Sequence, residues 1–328
     1  TGNLGAELYQ LVWAPLEPHL KGIKKISYSP AGKLYGIAFH ALPASQAQRG
    51  EPASQAQRGK PADSITLLMD KYELQQYTST RQVALRKVEN RNAKIESIVL
   101  FGDAAFSMDS TALVKTKVKS QPSSGIYTPR QRGESSGNWP NLPGTAEEVK
   151  KVKQLFDNNK TASRSFTGAA ANEGNLKALN DQSPQVLHIA THGFFLPEPD
   201  KKKNADHSGS SNTYTLAEDP LLRSGLILAG GNYAWSGKTP IEGIEDGIAT
   251  AYEISQLNLS NTELVVLSAC ETALGDIKGS EGVFGLQRAF KMAGVKKMIV
   301  SLWQVPDKET AELMTAFYGY WLKGKSIE

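Results

Sequence analysis

A chain of 328 residues with 40% hydrophobic and 21% charged side chains can bury one large core or two ordinary ones and reads as soluble and globular. Its single cysteine excludes an intrachain disulfide and any cysteine-rich zinc site, in keeping with a reducing, cytoplasmic setting. The net charge of +4 is mild, nothing resembles a signal peptide, and no apolar run approaches the ~20 residues needed to cross a bilayer, so no membrane partner is expected. The chain opens on Thr1 rather than Met and is expected to be part of something longer.

In chain order, Leu4 to Leu20 is moderately helical, interrupted by Pro15 and Pro18. Alternation over Ile23 to Ser29 predicts a strand, Pro30 to Lys33 a turn, and Leu34 to Phe39 its return strand. Pro43 to Gly50 is then duplicated as Pro52 to Gly59, a polar repeat too short for a solenoid unit and read as loop. From Ser97 onward strands and helices alternate, beginning with Ile98-Val99-Leu100-Phe101. Lys115, Lys117, Lys119, Arg130 and Arg132 share a segment rich in Ser, Gly, Pro and Gln without aromatic platforms. It reads as a solvated loop, with nucleic acid contacted only indirectly if at all.

Thr145, with Glu148 three residues on, predicts a capped helix whose apolar stripe is Val149, Val152, Leu155 and Phe156. Arg164 to Phe166 suggests a short strand and Asn172 to Leu179 a short helix. The run Val186 to Gly193 reads as a strand ending in a histidine, and a polar loop is expected from Pro197 to Asp219. Strands are expected at Ser224 to Leu228, Glu263 to Ala269 and Met298 to Trp303, with helices over Ala249 to Leu257, up to about Ala293, and from Asp307 to about Leu322. Short continuous apolar strands separated by helices imply a mostly parallel sheet covered on both faces, with the ligand site at the carboxyl ends of the strands.

Cys270 follows one of these strands and His192 follows another. A lone thiol at a strand end is either buried filler or a nucleophile. A histidine can make it a nucleophile by taking its proton or lowering its pKa, and the backbone N–H groups of Gly193 and Cys270 can hold an oxyanion. His188 and His192 do not make a zinc pair on a strand, since four residues at ~3.3 Å each separate the rings by roughly 13 Å. His188 is therefore read as a core or supporting histidine, and His19, His40 and His207 have no accompanying pattern. There is no Gly-x-Ser-x-Gly elbow and no phosphate-binding Gly-Lys-Ser/Thr loop, and Gly230-Gly231 is too little to suggest a dinucleotide. No metal or cofactor is expected.

His188-Ile189-Ala190-Thr191-His192-Gly193, Asp219 to Leu226, Leu267-Ser268-Ala269-Cys270-Glu271-Thr272 and Ser301 to Asp307 together resemble the CHAT family, the caspase- and separase-related cysteine proteases of clan CD. Ala14-Pro15-Leu16, Ser29 to Gly32 and Ala38 to Leu42 carry the likeness into the opening segment. The resemblance implies a caspase-like α/β/α sandwich over 96–328 preceded by a smaller lobe over 1–95. It implies a cysteine endopeptidase with Cys270 as nucleophile and His192 as base and acid, and a pocket near Trp303, Asp307 and Ala311. Such domains follow tetratricopeptide-like helical repeats, and some relatives stand beside gasdermin-like pore formers or CRISPR effectors in bacterial defence. The expected partners are accordingly a protein substrate, such as a pore former, and upstream repeats or an activator. The family usually continues past the last helix, so a truncated C-terminus is expected. The acid that reads a substrate arginine in separases falls at Ala311, which disfavours arginine specificity. The rival reading is a catalytically silent interaction module.

Overall fold

The computed structural model describes residues 4–31, 34, 37–44, 66–77, 79, 81, 83, 95–116, 137–196, 219, 221–268, 281–301 and 307–325. The duplicated repeat beyond residue 44, most of the basic segment, the loop at 197–218, Cys270, the glycine-rich segment up to 280 and Trp303 lie outside these residues. The chain divides into two compact units, Thr1–Glu89 and Asn90–Ile327.

The first unit opens with α1 (Leu4–Leu8), which loosens into a π-helical turn over Tyr9–Trp13 and a 3-10 helix over Ala14–His19, where Pro15 and Pro18 lack the N–H that α-helical bonding requires. Strand β1 (Lys25–Tyr28) pairs in parallel with β2 (Glu73–Gln76), which follows the short helix α2 (Leu68–Lys71). Among the described residues of 34–39 the expected return strand does not form. The Leu34 and Ile37 amides bond back three residues, to Ala31 and Leu34, and Phe39–Ala41 is a 3-10 turn. The chain turns because Phe39 is needed inside, where it packs on Trp13 and Tyr28.

The second unit is built on a five-stranded parallel sheet in the order β10-β9-β5-β3-β4, comprising β3 (Ser97–Ala104), β4 (Ala162–Gly168), β5 (Val186–Ile189), β9 (Leu264–Leu267) and β10 (Lys297–Val300). The central strands are largely apolar on both faces because both are covered, with His188 of β5 as an exception. Ile98, Leu100, Val186, Leu264 and Val266 point into a core with α4 (Pro143–Asn158) and the C-terminal helix α9 (Asp307–Leu322). Val99, Phe101, Leu187, Ile189, Val265 and Leu267 point the other way, into the larger core that also takes α5 (Glu173–Lys177), α7 (Ala251–Ser255) and α8 (Glu281–Met292). Burying each such side chain stabilises the fold by roughly 1.5–3 kcal/mol, and the two cores make an α/β/α sandwich.

A second, antiparallel sheet in the order β6-β7-β8 joins β6 (His192–Phe195), β7 (Ser224–Ile227) and β8 (Ile248–Thr250). Helices α3 (Ser110–Lys115) and α6 (Gly231–Trp235) complete the unit. Within α5 Lys177 meets Glu173 at 2.7 Å, and it ties the helix to the segment before β8 through Glu245 at 2.8 Å and to α7 through Glu253 at 3.0 Å. Burial opposes the lysine charge, but these carboxylates outweigh it and hold its pKa above the usual range.

Helix α4 begins at Pro143, two residues earlier than the cap expected at Thr145, because proline suits the first helical turn. Thr145 instead donates to the Leu142 carbonyl at 2.7 Å and accepts from the Asp103 amide at 2.8 Å, stitching α4 to the end of β3. At that seam a Cβ on Gly102 would lie 2.6 Å from Val149 Cγ2 and 3.1 Å from the Thr145 carbonyl. Gly102→Ala should therefore cost about 1–3 kcal/mol in urea unfolding, and pairing it with Val149→Ala should recover part of that cost beyond additivity. Strict additivity of the two changes would contradict this packing.

Candidate active site

The parallel strands β5 and β9 are neighbours with His188 opposite Val266 and Ile189 opposite Leu267. The Ser268 amide extends the ladder to the Ile189 carbonyl at 3.0 Å. The Ala190 amide still bonds the Phe101 carbonyl of β3 at 2.8 Å; past it the chain leaves the sheet, and the Thr191 hydroxyl bonds the Ile227 carbonyl of β7. His192 then opens β6, so the expected single strand from Val186 to Gly193 is two strands with a bend between them. The bend lets one short segment serve both sheets.

The His192 side chain is fully buried. Its ring lies between Phe106, with centroids 4.8 Å apart, and Trp139, at 5.0 Å. Its Nε2 is 2.7 Å from the carbonyl oxygen of Pro140. A carbonyl can only accept, so Nε2 carries the hydrogen and Nδ1 is the basic nitrogen of the neutral ring.

Gly193 sits on the edge strand of its sheet. Leu196 donates to the Arg223 carbonyl opposite it at 2.7 Å, and antiparallel pairs alternate between bonded and non-bonded. By that alternation Gly193, paired with Leu226, directs its N–H away from β7.

His188 lies on the other face of the sheet, in a separate polar cluster. Its Nδ1 is 3.1 Å from the Tyr318 hydroxyl, and its Nε2 is 3.2 Å from Glu148 Oε1, a close contact off the hydrogen-bond axis. The same Glu148 oxygen accepts from the Ser268 hydroxyl. His188, Glu148, Ser268 and Tyr318 are all buried, and they join α4, β5, the end of β9 and α9. The glutamate expected to close a capping box thus turns inward, where an unmet polar group would cost about 1–3 kcal/mol.

Of the other residues singled out in the sequence, Ala311 lies on α9 at 4% exposure, offering no charge to a substrate. Asp307 opens α9, with its side chain outside the described part of the molecule, as are Cys270 and Trp303 entirely. Among the described residues no group of three His, Cys, Asp or Glu side chains converges to hold a metal ion, and no helix is long and apolar enough to cross a membrane. Phe106, Trp139 and Pro140 carried no motif, and only their distance from His192 in the fold marks them.

A model of the CHAT domain matches residues 2–328. The chain belongs to the CHAT domain family. The mostly parallel sheet between two helical layers is the caspase-like, peptidase-related fold of that family. The chain is also similar to Tetratricopeptide repeat protein 28 of Mus musculus, 28% identical over 199 residues, and to its Homo sapiens counterpart, 25% identical over 193 residues. Each match covers 57% of this chain and 7% of the relative, so the CHAT chain spans only a small part of those curated proteins.

Burial, with the Glu148 carboxylate adding to it, holds the Tyr318 phenol well above the ordinary tyrosine range. A raised folded pKa gives stability that is complete below the unfolded value near 10 and is lost as pH rises above it. Tyr318→Phe should destabilise at neutral pH through the lost bond to His188, and the difference from wild type should shrink above about pH 10, by up to ~1.4 kcal/mol per unit. A difference in urea midpoints that stays constant from neutral to alkaline pH would contradict this.

Proposed function

We propose that this CHAT domain is a cysteine endopeptidase in which Cys270 is the nucleophile and His192 the general base and acid. The observation that carries the reading is the register of β5 and β9. Ile189 and Leu267 pair at the carboxyl ends of adjacent strands, and in sequence His192 and Cys270 each follow three residues later. Neighbouring strand ends are where an open parallel sheet binds its ligand. The Nε2 contact with the Pro140 carbonyl, which makes Nδ1 the basic nitrogen of the neutral ring, supports the same assignment.

In the proposed reaction His192 Nδ1 takes the Cys270 proton, and the thiolate sulfur attacks the scissile carbonyl carbon. The negative oxygen is held by the N–H groups of Gly193 and Cys270. The intermediate collapses to a thioester as His192 returns its proton to the leaving amine. Water, deprotonated by His192, then releases the acid and restores the thiol. Ala311 argues against a buried acid reading a substrate arginine, and the substrate class the family suggests is a protein, such as a pore former, activated by a single cut. The repeat-protein names of the relatives support gating by helical repeats elsewhere in the full protein.

Cys270→Ala and His192→Ala should each reduce appearance of new N-termini in a cell extract by at least about a thousandfold while leaving far-ultraviolet circular dichroism unchanged. Undiminished cleavage by folded Cys270→Ala would defeat the proposal. As Cys270 is the single thiol, alkylation no faster than a model thiol would favour a silent interaction module instead.

A further inference from the structure

We infer that Asn232 is the positioning residue that fixes the tautomer of His192, and so decides which imidazole nitrogen serves as base. The inference builds on the proposed role of His192. The acceptor that selects the tautomer, the Pro140 carbonyl, lies in residues 137–142, which belong to no helix or strand. No ladder therefore holds it. Downstream the chain is fixed at Leu142, whose carbonyl accepts from the Thr145 amide and hydroxyl. Upstream it is fixed by Asn232.

The Asn232 side chain is buried at 4% exposure and grips both backbone groups of Trp139. Its Oδ1 accepts from the Trp139 amide at 2.8 Å, and its Nδ2 donates to the Trp139 carbonyl at 2.9 Å. The second Nδ2 hydrogen goes to the Ser107 hydroxyl at 2.9 Å, so both amide donors are used. Its own backbone amide donates to the Phe106 carbonyl at 3.1 Å. One residue thus holds the two segments whose rings flank the imidazole, and the peptide next to the carbonyl that receives Nε2–H.

The placement of Asn232 is itself determined. Gly230 caps α6 in the left-handed region at φ 83, and a Cβ there would lie 2.3 Å from Leu113 Cδ2. Only glycine permits that turn, and the turn brings the first helical residues against Ala105 and Phe106. The Gly230-Gly231 pair thus has a use unrelated to nucleotide binding. When Nδ1 gains a proton during catalysis, the Nε2–H bond to Pro140 becomes charge-assisted and stronger, so holding that carbonyl also stabilises the imidazolium. A loosened carbonyl would let the ring hydrogen move to Nδ1, leaving no base toward the thiol.

The test is nitrogen-15 NMR of the histidine side chains in the whole chain, with the His192 signals assigned by their loss in His192→Gln. Wild type should show the Nε2–H tautomer, and an Nδ1–H ring would overturn the inference without any variant. Asn232→Asp is close in size and keeps an acceptor for the Trp139 amide but loses both donors. It should give a mixture of tautomers, a kcat lower by about 10–100-fold, KM within about threefold, and a pH–rate profile displaced from wild type. Ser107→Ala leaves the grip on Trp139 intact and should behave as wild type. Folded Asn232→Asp or Asn232→Ala with unmoved tautomer and pH profile would overturn the inference, whatever their loss of stability. Absence of Cys270-dependent cleavage would remove the protease reading while leaving the tautomer measurement to decide this one.

Discussion

The parallel pairing of β5 with β9 is the constraint on which the rest of the second unit depends. A slip of one residue would exchange the two faces of either strand, moving Leu187, Ile189, Val265 and Leu267 out of one core and His188 into it. The register is therefore enforced by both cores at once. It also sets where the two strands release the chain, with Ile189 and Leu267 side by side and the Ser268 amide closing the last rung. Placement of the candidate base is then a consequence of core packing rather than of any interaction that His192 makes.

The two buried histidines show how differently one residue type is accommodated on opposite sides of a sheet. His188 sits among hydrogen-bonding side chains drawn from three other elements, and the cluster it forms with Glu148, Ser268 and Tyr318 ties α9 to the end of β9. Each member would leave another buried polar group unmet if removed, so the cluster fixes the relative placement of four elements more than it adds net stability. His192 has the tilted rings of Phe106 and Trp139 against it and a backbone carbonyl at Nε2. One environment specifies architecture, and the other specifies a proton position.

Much of the sheet was legible in the sequence because both faces of its strands are covered, which makes them short apolar runs such as Ile98 to Phe101 and Leu264 to Leu267. The C-terminal helix begins at Asp307 and ends at Leu322, the bounds expected from the sequence. Leu34 to Phe39 misled because its alternation is that of a strand, while its amides have turn partners and β1 takes its neighbour from some 48 residues downstream. Thr145 and Glu148 have the spacing of a capping box, yet each finds a stronger use in another element. The surroundings of His192 were hidden for a plainer reason. Pro140 is 52 residues away from it, and Asn232 is 93 residues away from the Trp139 it holds. Neither residue type carries a signal for such contacts.

The acceptor at Nε2 has a chemical consequence of its own. A carboxylate there would favour the imidazolium more strongly than a carbonyl does, because a buried anion beside the ring stabilises its charged form. The Pro140 carbonyl gives orientation without a formal charge. Its dipole still strengthens as an acceptor once the ring is protonated, which stabilises the charge when it appears rather than before. A neutral backbone acceptor is thus suited to a base that must alternate between two states. It also demands that the carbonyl be held still, since a segment outside the helices and strands has no ladder to do so.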